Sequence, residues 1–155
     1  KQSNWNKPLP SGHGKGIALF HELDAIIAQV ATVSINSKGK LKIEKIDCVL
    51  DLGNYVNPSI VKSQIEGGIV MGISSTLKEK VIFENGKVLQ SNFDDYKIAQ
   101  MKDIPEIEIN LIESQGNGKG VDFGVFPVAP SITNAIFAAS GKRIRDLPIG
   151  NQKLI

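Results

Sequence analysis

The residue types best suited to chemistry lie in two short segments. In the first, QIEGGI at residues 64–69, the side-chain amide of Gln64 offers hydrogen-bond donors and an acceptor to a bound group. The glycines that follow, Gly67 and Gly68, let the backbone pack closely against another chain segment or a cofactor. A helix that crosses a neighbour at the glycines, with Gln64 in solvent, fits the same pattern, so both interpretations stay open.

The second segment is GVDFGVFPVAP at residues 120–130, where Asp122 lies between Gly120 and Gly124. The apolar neighbours of this acid disfavour its charged form by desolvation, which suits a general base. A helix is expected to begin at Pro127, and its first N–H groups can face an anion. An aspartate that caps a turn, or one that is solvated, fits the spacing equally well.

Other reactive residue types give weaker patterns. The segments GHGKG at 12–16 and GNGKG at 116–120 lack the spacing of a P-loop or a dinucleotide-binding motif. Mobile glycine loops, or a small anion-binding domain, therefore remain open for them. His13 and His21 do not have metal-ligand spacing, and we predict no metal site formed by this chain's own residues. Cys48 lies in an apolar predicted strand and is expected to be an inert buried thiol.

Composition excludes several classes of protein. A chain of 155 residues with 41% hydrophobic residues is expected to form one globular domain, residues 1–155. A net charge of +2 gives no electrostatic basis for nucleic-acid binding. A single cysteine excludes an internal disulfide framework and an iron–sulfur site within this sequence. We expect no membrane span, and the polar residues 1–16, without an initiator Met, suggest part of a longer or processed protein.

The predicted elements indicate an α+β fold, with a mixed or antiparallel sheet and two main helices packed on it. Residues 1–16 are predicted to be irregular because they are rich in glycine and proline. Helices are predicted from Pro58, capped by Asn57, to Leu77, and from Pro127 to Ser140. Strands are predicted at 17–20, 25–35, 41–50, 81–83, 87–90, 104–112 and 144–149.

The order of motifs along almost the whole chain resembles the C-terminal part of the molybdenum-cofactor-binding large subunit of the xanthine dehydrogenase/aldehyde oxidase family. The resemblance is strongest to the branch that contains the isoquinoline 1-oxidoreductase β-subunit. The matching residues are Trp5 and residues 7–10, 14–18, 30–31, 51–53, 56–58, 64–69, 90–93, 95–96, 127–130, 134–139, 141–145 and 147–149.

This resemblance implies part of a molybdenum hydroxylase that oxidises an N-heterocycle or aldehyde with oxygen derived from water. It implies molybdopterin cytosine dinucleotide as cofactor in the full-length subunit, and the rest of that subunit and an iron–sulfur small subunit as partners. Gln64 takes the place of the family's cofactor-binding glutamine, and Asp122 that of its catalytic glutamate. Cofactor contact is implied for Gly67, Gly68, Gly120 and Gly124. The isolated chain is expected to be inactive, and the periplasm and the cytoplasm both remain open as its compartment.

The chain departs from the family pattern around the acid. The family motif GxGEPGxPPxAP has glycine, glutamate and proline where this sequence has Val121, Asp122 and Phe123, and a further proline where it has Phe126. Aspartate is one methylene shorter than glutamate, and displacing a base by about 1 Å can cost on the order of a hundredfold in rate. The alternative function is therefore a non-catalytic structural or assembly module that retains the fold with a degenerate site motif.

Overall fold

A four-stranded mixed sheet forms the centre of the fold. The computed structural model describes residues 3–22, 25–116 and 122–155. The strands of the sheet are His13–Glu22 (β1), Ala25–Ile35 (β2), Leu41–Asp51 (β3) and Glu106–Ile112 (β6). The sheet order is β1-β2-β3-β6, in which β1 to β3 are antiparallel and β6 is parallel to β3. A separate small hairpin consists of Phe83–Glu84 (β4) and Lys87–Val88 (β5).

Side-chain alternation in the strands determines which face of the sheet is buried. On the central pair β2 and β3, Ile27 lies opposite Leu50 and Ala31 lies opposite Ile46, and all four side chains are buried. This face packs against helix α1 (Pro58–Leu77) and helix α2 (Val128–Ser140). The α+β class predicted from the sequence, a mixed sheet with two main helices, is confirmed.

Helix α1 begins where its local sequence predicts. The Asn57 side chain accepts hydrogen bonds from the backbone N–H of Ser59 at 3.0 Å and of Ile60 at 3.2 Å, which is an N-cap. Pro58 occupies the first helical turn, where its missing N–H costs no intrahelical bond. The residues at four-residue spacing are buried against the sheet and α2: Val61, Ile65, Ile69 and Ile73.

Helix α2 lies directly on β1 at two glycines. A β-carbon on Gly16 would lie 2.2 Å from the backbone of Ser131 and Ala135, and one on Gly14 would lie 2.3 Å from the carbonyl oxygen of Ala135. The prediction that residues 1–16 are irregular is therefore wrong from His13 onward. The glycines there do not break the strand, because they make room for the helix backbone.

The predicted strand at 144–149 is also wrong. The Ile149 N–H donates to the Thr76 carbonyl at 2.7 Å, and the Gly150 N–H donates to the Leu77 carbonyl at 3.0 Å. The segment thus satisfies the last carbonyls of α1 instead of extending the sheet. The hairpin predicted at Asn85-Gly86 is confirmed, although each of its strands has only two residues.

One apolar stretch meets the length and composition of a membrane span. The stretch Phe123–Ser140 includes α2, and within the described ranges it is the only such helix. Ile132 and Ile136 of this helix are fully buried in the domain core. Packing on the sheet accounts for the apolar character, so the stretch is weak evidence for a span.

Candidate functional site

The two segments selected from the sequence are in direct contact. The second segment continues from Asp122 into a short 3-10 helix, Asp122–Val125, which we call the acid turn. A β-carbon on Gly124 would lie 2.6 Å from the carbonyl oxygen of Ile65 in α1. A β-carbon on Gly68 would lie 3.2 Å from Gly124 Cα and from the Val125 nitrogen. Gly68 and Gly124 are therefore the residues that let α1 and the acid turn approach backbone to backbone.

Gly67 differs from its neighbour, because its side of α1 is open. A β-carbon there would meet no atom of the described residues within 4 Å, and the residue is exposed. Gln64 lies one turn earlier on the same face of the helix and is also exposed. Within the described part of the chain, no hydrogen bond engages the Gln64 amide. We call this exposed face of α1, Gln64 and Gly67, the open strip.

The acid turn is held from the β1 side by aromatic packing. The ring of Phe126 stacks on that of Phe20 with centroids 4.4 Å apart, and Phe123 packs against the same ring at 6.1 Å. Phe123 is buried, whereas Phe126 is about half exposed. Asp122 begins the turn, but its side chain, like Gly120, lies outside the described residues. The roles expected for these two residues stay predictions.

Gln29 was missed by the sequence analysis. It lies on the core face of β2, is 0% exposed, and its Nε2 donates to the carbonyl oxygen of Gly124 at 2.7 Å. The available signal was a single amide in the apolar stretch AIIAQVA at residues 25–31. That signal identifies a buried polar group but does not identify its partner, which is 95 residues away in the sequence.

Cys48 lies directly opposite Gln29 in the sheet register. Burial raises the pKa of the Cys48 thiol to about 12, and a hydrogen bond with the Gln29 side chain opposes part of that rise. The thiol is therefore protonated at neutral pH and fully buried. The predicted burial of Cys48 is confirmed, and its lack of reactivity stays a prediction.

The main cluster of paired charge lies on the sheet face opposite the helices. Lys45 Nζ lies 2.5 Å from Glu108 Oε2 and 2.9 Å from Asp47 Oδ1. The hydrogen bonds that Lys45 donates to Glu108 and Asp47 raise the pKa of Lys45, and the first of them lowers the pKa of Glu108. These groups stabilise the pairing of β3 with β6 and are separate from the acid turn.

The anion-binding interpretation gains no support from the first glycine-lysine segment, because that segment is a strand. Lys15 Nζ donates to the backbone carbonyls of Ser3 and Asn4 at 2.7 and 2.6 Å. Most of the second segment lies outside the described residues. Across the ranges 3–22, 25–116 and 122–155, no group of three or more His, Cys, Asp or Glu residues is arranged to hold a metal ion.

Comparison with known proteins identifies relatives of this chain. Residues 9–105 match the molybdopterin cofactor-binding domain family. The chain is 33% identical to the isoquinoline 1-oxidoreductase β-subunit of Brevundimonas diminuta, over 96% of this chain and 20% of that protein. It is 30% identical to the large subunit of nicotine 6-hydroxylase of Paenarthrobacter nicotinovorans, over 97% of this chain and 18% of that protein.

A solved structure with the same fold is quinoline 2-oxidoreductase from Pseudomonas putida 86. The TM-score is 0.74 at 29% identity, over 81% of this chain and 17% of that one. The chain thus spans about a fifth or less of the length of these relatives. Because the family match covers more than half of the sequence, the chain belongs to the molybdopterin cofactor-binding domain family of the xanthine dehydrogenase/aldehyde oxidase enzymes.

Proposed function

We propose that this chain is the C-terminal segment of a molybdenum hydroxylase large subunit and supplies one wall of its cofactor pocket. The observation that carries the proposal is the open strip beside the acid turn. A glycine within a helix costs about 1 kcal/mol relative to alanine. Gly68 has a close neighbour that requires glycine, whereas Gly67 has none among the described residues. A group outside this chain that approaches α1 at Gly67 would account for that glycine.

The residues of the open strip fit a cofactor rich in polar atoms. The exposed Gln64 amide can donate and accept hydrogen bonds, and the bare backbone at Gly67 permits close approach. Gly68 and Gly124 would place the acid turn beside that approach, with Gly120 as the glycine before it. When bound, the molybdenum cofactor supplies the two-electron oxidation of the substrate and the site of the water-derived oxygen. The form we propose is molybdopterin cytosine dinucleotide.

Asp122 is the proposed general base. Its place at the start of the acid turn puts it on the segment that contacts α1 next to the open strip. A carboxylate in that position accepts a proton and holds it while the substrate is oxidised. We propose an N-heterocycle or aldehyde as substrate, in keeping with relatives named for isoquinoline and quinoline. Electrons would leave through an iron–sulfur partner subunit.

Exposed apolar side chains support the proposal that further polypeptide covers this domain. Beside the small hairpin, Val81, Val88 and Phe93 line one hollow and are 48%, 47% and 94% exposed. Clustered exposure of large apolar residues marks an interaction surface. The remainder of the large subunit is the proposed occupant, so the isolated chain is expected to lack activity.

One observation favours the alternative of a non-catalytic module. Phe123 and Phe126 occupy positions where the family pattern has proline, and here they pack against Phe20. Residues at the edge of the acid turn thus contribute to packing, and a turn retained only for packing needs no base.

The test uses the complete subunit with its partner. Elemental analysis for molybdenum and detection of released pterin are expected to show a bound cofactor. Asp122→Asn is expected to keep the cofactor and to lose turnover by at least about a hundredfold, because an amide cannot accept the proton. A metal-free and pterin-free complete subunit contradicts the cofactor proposal. Unchanged turnover in Asp122→Asn contradicts only the role of the base.

A further inference from the structure

We propose that Gln29 is a positioning residue for the site, and that it fixes the acid turn against α1 through the carbonyl of Gly124. This inference rests on the proposed function, since the turn matters for turnover only if Asp122 acts there. Gln29 itself lies in the core of the sheet, fully buried, and is not proposed to contact cofactor or substrate.

Gly124 is held from two sides. On one side its Cα faces α1, where an added β-carbon would lie 2.6 Å from the Ile65 carbonyl oxygen. From the sheet side, the Gln29 amide donates to its carbonyl oxygen at 2.7 Å. The acid turn is thus placed between β2 and α1, and the Gln29 bond is the polar contact that sets its height above the sheet.

Core packing alone does not explain a glutamine at position 29. The neighbouring residues on the same face of β2 are apolar, Ile27 and Ala31, and both are buried. Burying an amide requires that its polar atoms find partners. Here Nε2 has Gly124, but Oε1 forms no hydrogen bond of good geometry with a protein N–H or O–H within the described residues. Cys48 lies opposite Gln29 in the sheet register, but its thiol forms no hydrogen bond with Oε1.

An apolar side chain of similar length would avoid the unsatisfied oxygen and still fill the space. The benefit of glutamine is therefore the directed bond to one backbone carbonyl, which a methionine cannot form. Without that bond, the acid turn keeps its contact with α1 and its aromatic packing on Phe20, but the Gly124 carbonyl loses its hydrogen bond to β2. A shift of about 1 Å at a reacting group can cost on the order of a hundredfold in rate, so a small movement of the turn is enough to matter.

The experiment compares Gln29→Met with Gln152→Met in the complete, cofactor-loaded enzyme. Gln152 is a matched control because its Nε2 also donates to backbone carbonyls, those of Asp146 and Pro148 at 2.8 and 3.1 Å, in the segment that bonds to the C-terminal end of α1 and not in the acid turn. Gln29→Met is expected to retain molybdenum and KM while kcat falls by about tenfold to a hundredfold. Gln152→Met is expected to leave kcat unchanged.

A second readout does not depend on activity. Amide hydrogen exchange in residues 122–126 is expected to accelerate in Gln29→Met and to stay unchanged in Gln152→Met. Unchanged kcat and unchanged exchange in a loaded Gln29→Met enzyme overturn the positioning role. If Asp122→Asn is inactive in the same series, the proposed function survives that result. If Asp122→Asn is fully active, the proposed role of Asp122 as general base fails instead, and with it the reason for positioning the acid turn.

Gln29→Glu keeps the test decisive if the methionine variant does not fold. A protonated carboxyl at position 29 donates to the Gly124 carbonyl, whereas the ionised form cannot. Turnover of this variant, relative to the unmodified enzyme, is expected to fall as pH rises and the introduced acid ionises. Identical pH profiles for the two enzymes contradict the proposal.

Discussion

Gly67 and Gly68 are adjacent in α1, yet the structure predicts opposite effects when each is replaced by alanine. At Gly67, the new β-carbon meets no described atom within 4 Å, so only helix propensity changes. Alanine is favoured over glycine in a helix by about 1 kcal/mol. We therefore expect Gly67→Ala to raise the free energy of unfolding of the 155-residue chain by about 1 kcal/mol, which corresponds to a melting temperature higher by about 2–4 °C.

At Gly68, the same gain in propensity meets a steric cost. The new β-carbon would lie 3.2 Å from the Gly124 Cα and the Val125 nitrogen, which are backbone atoms and cannot rotate away. Forcing an extra carbon into a packed contact costs about 1–3 kcal/mol. We expect Gly68→Ala to lower the free energy of unfolding by up to about 2 kcal/mol. Thermal unfolding of the two variants, measured side by side, gives the comparison.

The functional consequence is measured in the complete subunit. If the cofactor approaches α1 at the open strip, Gly67→Ala is expected to lower molybdenum and pterin content while it stabilises the isolated chain. Full molybdenum content together with higher stability refutes the reasoning about the open strip. Full molybdenum content together with a destabilised complete subunit shows that another protein segment covers Gly67 instead of the cofactor.

Two further predictions concern groups away from the open strip. Because Lys45 lowers the pKa of Glu108 below its usual value of 4.5, the ion pair stabilises the fold above that pH, and this contribution is lost as pH falls through the lower folded value. In Glu108→Gln the free energy of unfolding is thus expected to fall less on acidification than in the unmodified chain, as measured by urea unfolding at several pH values. An equal fall in both proteins contradicts this prediction. Cys48, with a buried thiol whose pKa is raised to about 12, is expected to resist alkylation at about pH 8 in the native chain and to react once the chain is unfolded. Mass spectrometry of the alkylated protein checks this, and rapid native labelling contradicts it.

The helices and hairpins could be predicted because their signals are local. Asn57 caps α1 from the position directly before it, and Gly141 ends α2 with a φ of 74°. The errors fall where distant residues decide the structure. Gly14 and Gly16 belong to a strand because they pair with β2, and they are glycines because α2, more than a hundred residues later, lies on them. The segment ending at Ile149 bonds to the end of α1, which no local pattern indicates.

The site shows the same division. The residue types in the sequence selected the glutamine segment and the acid turn, and the structure brings the two into contact through Gly68 and Gly124. The sequence alone could not distinguish Gly67 from Gly68, because both residues are glycine and only their neighbours in the folded structure differ. Gln29 was missed because its importance lies in the carbonyl that it reaches across the fold.

The different reasons for these glycines bear on the choice between an enzyme and a non-catalytic module. A module that needed only the fold would require Gly68 and Gly124, since both permit the contact of α1 with the acid turn. It would gain about 1 kcal/mol from alanine at position 67 at no steric cost within the described residues. Gly67, one turn after the exposed Gln64, therefore favours a chain that still binds a cofactor over a module that keeps only the fold. The departures from the family pattern lie in and directly after the acid turn, where Phe123 and Phe126 pack on Phe20. We therefore expect these substitutions to affect turnover of the substrate more than binding of the cofactor.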